Sequence, residues 1–116
     1  MTNKNILDDW SKTFDDLLHV YENSKYAMEI PFSMLAKYDS LEGDELLAVH
    51  ELLRQWLLLG YNKYHDMAVW IISLRKLREF APFIRESIEH INSLQYSPQI
   101  KNEIEDLQRL LDELSS

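Results

Sequence analysis

LLAVHELLRQWLLLGYNKYHDMAVWIISLRKLREFAPFIRESIEHI, residues 46–91, is the stretch whose reading decides the fold. Its apolar residues are too many for one face of each helical segment, so these segments must be sandwiched between neighbours. Gly43 and Asp44 open the first helix, with Asp44 the expected N-cap and Gly60 the stop, which predicts a helix to about Leu59. Leu46, Val49, Leu53, Trp56 and Leu57 form its stripe, and Leu47, Leu52, Leu58 and Leu59 widen it. Asn62 can cap the second helix, in which Tyr64, Met67, Ala68, Trp70, Ile71, Leu74 and Leu77 are apolar. This should be the most buried helix, with Trp56, Trp70, Ile71 and Leu74 buried together. Arg75, Lys76 and Arg78 mark its end, where unpaired carbonyls and the negative end of the macrodipole favour cations. Pro82 suits a first helical turn and starts a third helix to about Leu94, with Phe83, Ile84, Ile88 and Ile91 inward.

Working outward towards the N-terminus, Ile6, Leu7, Trp10, Phe14, Leu17, Leu18 and Tyr21 recur at spacings of three and four, predicting a helix over about 5–23 with Asn3 or Asn5 as cap. Tyr26, Met28, Ile30 and Phe32 alternate instead, and Pro31 disfavours a helical Ile30. Residues 24–32 are therefore expected to form a loop pinned down by its apolar side chains, followed by a short helix over about 33–40. Towards the C-terminus, Ser97 with Pro98 starts a last helix whose Ile100, Ile104, Leu107, Leu111 and Leu114 make a narrow seam. The seam is short for a free-standing coiled coil, which favours docking on the same chain over dimerisation. The expected fold is all-α, five or six helices packed as antiparallel hairpins in a single domain over 1–116.

Composition agrees. The 116 residues contain 2 Gly, 3 Pro and no Cys, with 46% hydrophobic and 28% charged residues. Few turn residues favour a handful of long helices over a strand-rich fold, and the absence of Cys removes disulfides and thiolate metal ligands. MTNKNILDDWSKTFDD has no apolar signal-peptide core, and no run reaches the ~20 apolar residues of a membrane span, so a cytoplasmic chain with no membrane contact is expected. Net charge is −8, with 5 acids against 2 bases in 1–24 and again in 97–116, whereas 61–96 carries 4 against 5. An acidic balance argues against direct nucleic-acid contact and suits a basic protein partner.

Catalytic chemistry finds little purchase. His19, His50, His65 and His90 form no pair at metal-ligand spacing on one helix, and His65-Asp66, adjacent residues that point in different directions on a helix, is explained by capping near a helix start. Folding could still assemble a metal site from His50, His65 and an acid. Two glycines 17 positions apart make no phosphate loop, and no G-x-S-x-G elbow occurs. Neither enzyme activity nor a cofactor is expected. Trp10, Trp56 and Trp70 fall at core positions, whereas tyrosines such as Tyr26, Tyr61 and Tyr64 gather at helix ends and loops, where half-exposed rings suit protein interfaces.

Tyr64-His65-Asp66-Met67-Ala68-Val69-Trp70-Ile71-Ile72-Ser73-Leu74, followed by Phe80-Ala81-Pro82-Phe83-Ile84, resembles a HEAT-like helical pair. Together with Glu51-Leu52-Leu53, Trp56 and Lys63 ahead of it, the stretch over about 45–92 resembles small helical immunity proteins that bacteria pair with polymorphic or contact-dependent toxins. The resemblance implies an inhibitor that binds a cognate toxin, often a nuclease, and blocks its active site or substrate surface; docking of the C-terminal seam on its own chain makes a monomer the expected free state. The residues expected to meet such a basic partner are the carboxylates Asp8, Asp15, Asp16, Glu103, Asp106 and Glu113, facing out, and the anchors Tyr26, Tyr61 and Tyr64. A helical adaptor shares all of these features, and a helical metal or ligand binder is the third class.

Overall fold

The computed structural model describes residues 3–59, 62–93 and 98–115, with side chains from Asn5 onward. Among these residues there are six α-helices and no strand, an all-α fold: α1 (Asn3–Tyr21), α2 (Glu29–Asp39), α3 (Gly43–Leu57), α4 (Lys63–Arg75), α5 (Ala81–Asn92) and α6 (Pro98–Ser115), with a 3-10 turn at Arg78–Phe80. No helix among them is long and apolar enough to cross a membrane. The chain divides into two compact units, Met1–Leu52 and Leu53–Ser116, and the division falls inside α3.

In the first unit, Ile6, Trp10 and Phe14 step by four along α1 and are buried, while Asp8, Asp9, Asp15 and Asp16 occupy the wet side. α2 packs against α1 and buries Ile30, Met34, Leu35 and Tyr38. Lys37 Nζ reaches Asp9 Oδ2 across the pair at 2.6 Å; both groups are partly solvated, so the bond contributes about 0–1 kcal/mol. Gly43 has φ +56°, where open space would accept a Cβ but the left-handed backbone would strain an L side chain.

Residues 24–32 are not the pinned loop that alternation suggested. Ser24 Oγ donates to the Tyr21 carbonyl and accepts from the Tyr26 amide, making a tight turn, and α2 then begins at Glu29, four positions early. Pro31 is tolerated because it lies in the first turn, where its missing N–H has no intrahelical partner to lose. Once the segment is helical, its alternating residues cannot share a face. Ile30 is buried, whereas Tyr26, Met28 and Phe32 are each more than half exposed.

The second unit takes in α4, α5 and α6, and α4 is bounded by clear signals at both ends. Asn62 caps it from an extended conformation, its side chain accepting from the Tyr64 amide at 2.8 Å. At the other end Lys76 is left-handed (φ 47°), with Lys76 N bonded to Ser73 O and Leu77 N to Ile72 O, a Schellman-type stop achieved without glycine. Met67, Ala68, Ile71 and Ile72 face inward, and the expected quartet is corrected accordingly. Trp56 and Ile71 are buried, Trp70 is half-buried and Leu74 is 45% exposed. Leu74 stands roughly 100° from the centre of the inward face at 3.6 residues per turn; a helix apolar all round does not announce which side is in.

Pro82 lies in the first turn of α5, which buries Ile84, Ser87 and Ile91. α6 docks in cis against α5 and α4. Its buried set is Glu103, Leu107, Leu110 and Leu114, while Ile100, Ile104 and Leu111 are only half-buried, so the seam is rotated from the one the apolar letters define.

Replacing the fully buried Ile71 by Ala should cost about 2–5 kcal/mol, and Leu74→Ala about 1 kcal/mol or less. Urea titrations of the two variants check this; equal costs would mean that the inward face of α4 is misassigned.

Candidate functional site

Leu57 ends α3, and its carbonyl has no further turn to accept from. Two buried side chains satisfy it: Ser87 Oγ of α5 donates at 2.6 Å, and His65 Nδ1 of α4 lies at 2.9 Å. A carbonyl can only accept, so Nδ1 carries the proton and the other ring nitrogen, Nε2, is turned towards α6. There it lies 2.9 Å from Glu103 Oε1. His65 is 2% exposed and Glu103 8%, so this is a polar bond inside the packing of α4 on α6.

Burial pushes His65 below its ordinary value, opposed by its bond to Leu57 and the charge of Asp66. Burial, then the carboxylates of Asp66 and Asp106, pushes Glu103 up to about 7. Asp66 is raised too, chiefly by burial. With a neutral imidazole, Nε2 can only accept, so a protonated Glu103 donates to it; with an imidazolium, Glu103 accepts as a carboxylate. One proton is held between the two atoms in either case. The two groups lie on a cleft of about 260 Å³, also lined by Asp66, Trp70 and Asp106. The ligand-capable atoms of His65, Asp66 and Glu103 fall within 4.8 Å of one another.

Several sequence expectations change here. Glu103 does not face out: it is drawn inward by His65, a partner 38 positions away that no local pattern reveals. His65 bonds backbone as foreseen, but that of α3 rather than a cap on its own helix. His65 and Asp66, although adjacent, do converge on one cleft. His50 takes no part, its Nε2 lying 2.7 Å from Tyr38 Oη in the first unit.

The other proposed contact residues fall into two sets. Asp8, Asp15, Asp16 and Tyr26 belong to the first unit and are exposed. Tyr64, Asp106 and Glu113 belong to the second. Tyr64 is half-buried against Trp56, with ring centroids 4.9 Å apart, Asp106 is exposed and holds Arg109 at 3.1 Å, and exposed Glu113 accepts from Ser73. Tyr61 lies outside the described residues. Sequence reasoning missed Val20, Met28 and Phe32. With Tyr26 they are four of the seven exposed large apolar side chains among the described residues, and all four fall within positions 20–32. Lys25 lies over the Tyr26 ring, 5.2 Å from its centroid.

No family model, curated protein or solved structure matches this chain.

Glu103 ordinarily titrates near 4.5, so folding retains a proton that the unfolded chain releases. Its contribution to stability is full below 4.5 and is lost as pH rises through about 7. His65, with a lowered pKa, acts oppositely: its contribution is full above 6.5 and is lost on acidification. Above 6.5 the His65 contribution is full, so the urea midpoint in the presence of EDTA should fall as pH rises from 6.5 through about 7, as Glu103 loses its proton, and then level off. Glu103→Gln, whose amide can donate to Nε2 at any pH, should flatten that limb. An unchanged limb in the variant would assign the titration to another group.

Proposed function

We propose that this chain is a protein-binding module that acts by occupying a basic partner, in the manner of an immunity protein neutralising a cognate toxin, and that it catalyses no reaction. The observation that carries this is the segment joining α1 to α2. Val20 near the end of α1, Tyr26 and Met28 between the helices and Phe32 in the first turn of α2 are each more than half exposed, and Asp15, Asp16, Glu22 and Glu29 at neighbouring positions are exposed carboxylates. Folding gains little from apolar side chains left in water, and clustered ones mark interaction surfaces. Aromatics and methionine are the residue types enriched at the centres of protein interfaces.

The carboxylates and the apolar groups have separable tasks. Acidic side chains at the rim steer a basic protein into encounter, which raises the association rate and makes it salt-dependent. Desolvated aromatic anchors hold it, which shows as slow dissociation. A nuclease is basic at its substrate groove, so a toxin of that kind fits an acidic inhibitor of net charge −8. The helical resemblance over 45–92 points in the same direction.

The test is binding to the toxin-domain product of the adjoining gene, followed by surface plasmon resonance at several salt concentrations. Charge reversal at Asp15 and Asp16 to Lys should slow association about tenfold and weaken its salt dependence, with the helical circular-dichroism signal intact. Phe32→Ser should instead speed dissociation, by about tenfold for ~1.4 kcal/mol of lost contact. Association indifferent to salt and to the reversals would eliminate the electrostatic mechanism. Failure to protect cells expressing that toxin would eliminate immunity and leave the adaptor reading.

A further inference from the structure

We propose that the cleft between α4 and α6 is a binding site for a divalent transition cation of the zinc type, held by His65 Nε2 and the carboxylates of Asp66 and Glu103. The donor atoms lie within 4.8 Å of one another, on two helices that already pack together. Tetrahedral coordination with bonds of ~2.1 Å separates ligand atoms by about 3.4 Å. His65 and Glu103, now 2.9 Å apart, would therefore part by about half an ångström, and the exposed Asp66 side chain would swing inward.

The imidazole is preset for this role. Its Nδ1–H is committed to the Leu57 carbonyl, which fixes the tautomer that leaves the Nε2 lone pair for a metal. Orientation of a ligating histidine by a backbone carbonyl on its far nitrogen is a common outer-shell arrangement, and here the ring is also immobilised by burial. Charge points the same way. A buried His–Glu pair needs a single carboxylate, yet Asp66 and Asp106 also line this cleft, and no Lys or Arg among the described residues does. Arg109 holds Asp106 outside. Placing Asp66 beside a buried Glu103 is unfavourable for the pair alone and favourable around a dication.

The donor set selects among cations. Magnesium and calcium take oxygen ligands, whereas an imidazole with two carboxylates suits zinc and its neighbours. Three protein ligands leave a position for water, for which the 260 Å³ cleft has room. Such a site would tie α6 to α4 by a metal bridge, in place of a shared proton.

Chelator-stripped full-length protein, titrated calorimetrically with zinc chloride near neutral pH, should bind one equivalent and melt at a higher temperature, whereas magnesium chloride should do neither. Asp66→Asn, at an exposed position that leaves the packing alone, should weaken zinc affinity about tenfold or more, and Glu103→Gln likewise. No zinc binding by the parent protein overturns the proposal, as does magnesium binding of comparable strength. Zinc binding undiminished in both variants overturns it too, by placing the ion on the exposed His19 or His90. Loss in Glu103→Gln alone overturns the three-ligand arrangement.

Discussion

The second unit depends on how one carbonyl is satisfied. Leu57 is the last residue of α3 and fully buried, so its oxygen lies at the negative end of the helix with no water to turn to. Leaving it bare would cost about 1–3 kcal/mol. Ser87 and His65 both reach it, and each comes from a different helix. The unmet need of α3 thereby fixes the register of α5 and α4 against its end, a constraint that apolar packing alone does not impose. It then propagates. With Nδ1 engaged, His65 presents Nε2 to α6, and only a residue able to match a buried nitrogen can stand opposite. Glu103 does so, and the seam of α6 follows from it.

That dependence explains which parts were legible in the sequence. Signals read locally survived: the 3.6-residue stripe of α1, the Asn62 cap, the Pro82 start and the all-α class all need neighbours only a few positions away. The face of α6 survived only in part. The apolar letters Ile100, Ile104, Leu107, Leu111 and Leu114 define one seam, whereas the buried set of Glu103, Leu107, Leu110 and Leu114, which keeps two of them, is centred roughly 50° away at 100° per residue. The rotation brings a carboxylate inside and turns three apolar residues half out. No helical-wheel argument places a glutamate in the core without knowing that a histidine waits there.

The start of α2 failed for a different reason. A proline after an isoleucine is a fair sign of extended backbone, but the same pair is compatible with a first helical turn, where the lost N–H is harmless. Alternation over four apolar residues tipped the reading towards an extended, pinned segment. In the structure it is a turn and a helix start, and the same four residues divide into one inward and three outward. Side chains that cannot be satisfied by their own fold are the ones to examine for partners, and here a misread period conceals them.

The charge of the chain acts through its local arrangement, since at physiological salt the screening length is about 8 Å and a total of −8 is not felt across the whole surface. Adjacent acids such as Asp15 and Asp16 remain unscreened from each other and from any ion pair formed at contact. On the proposed reading, such acids would guide an approaching basic protein only over the last few ångströms. In the α4–α6 cleft Glu103 is instead buried and pushed up to about 7 by that burial, so near neutral pH part of its charge is withheld by protonation. One carboxylate-rich chain thus uses its acids in two physically distinct ways. Where water surrounds them they shape the field outside, and where it is excluded they must share a proton or a cation to remain.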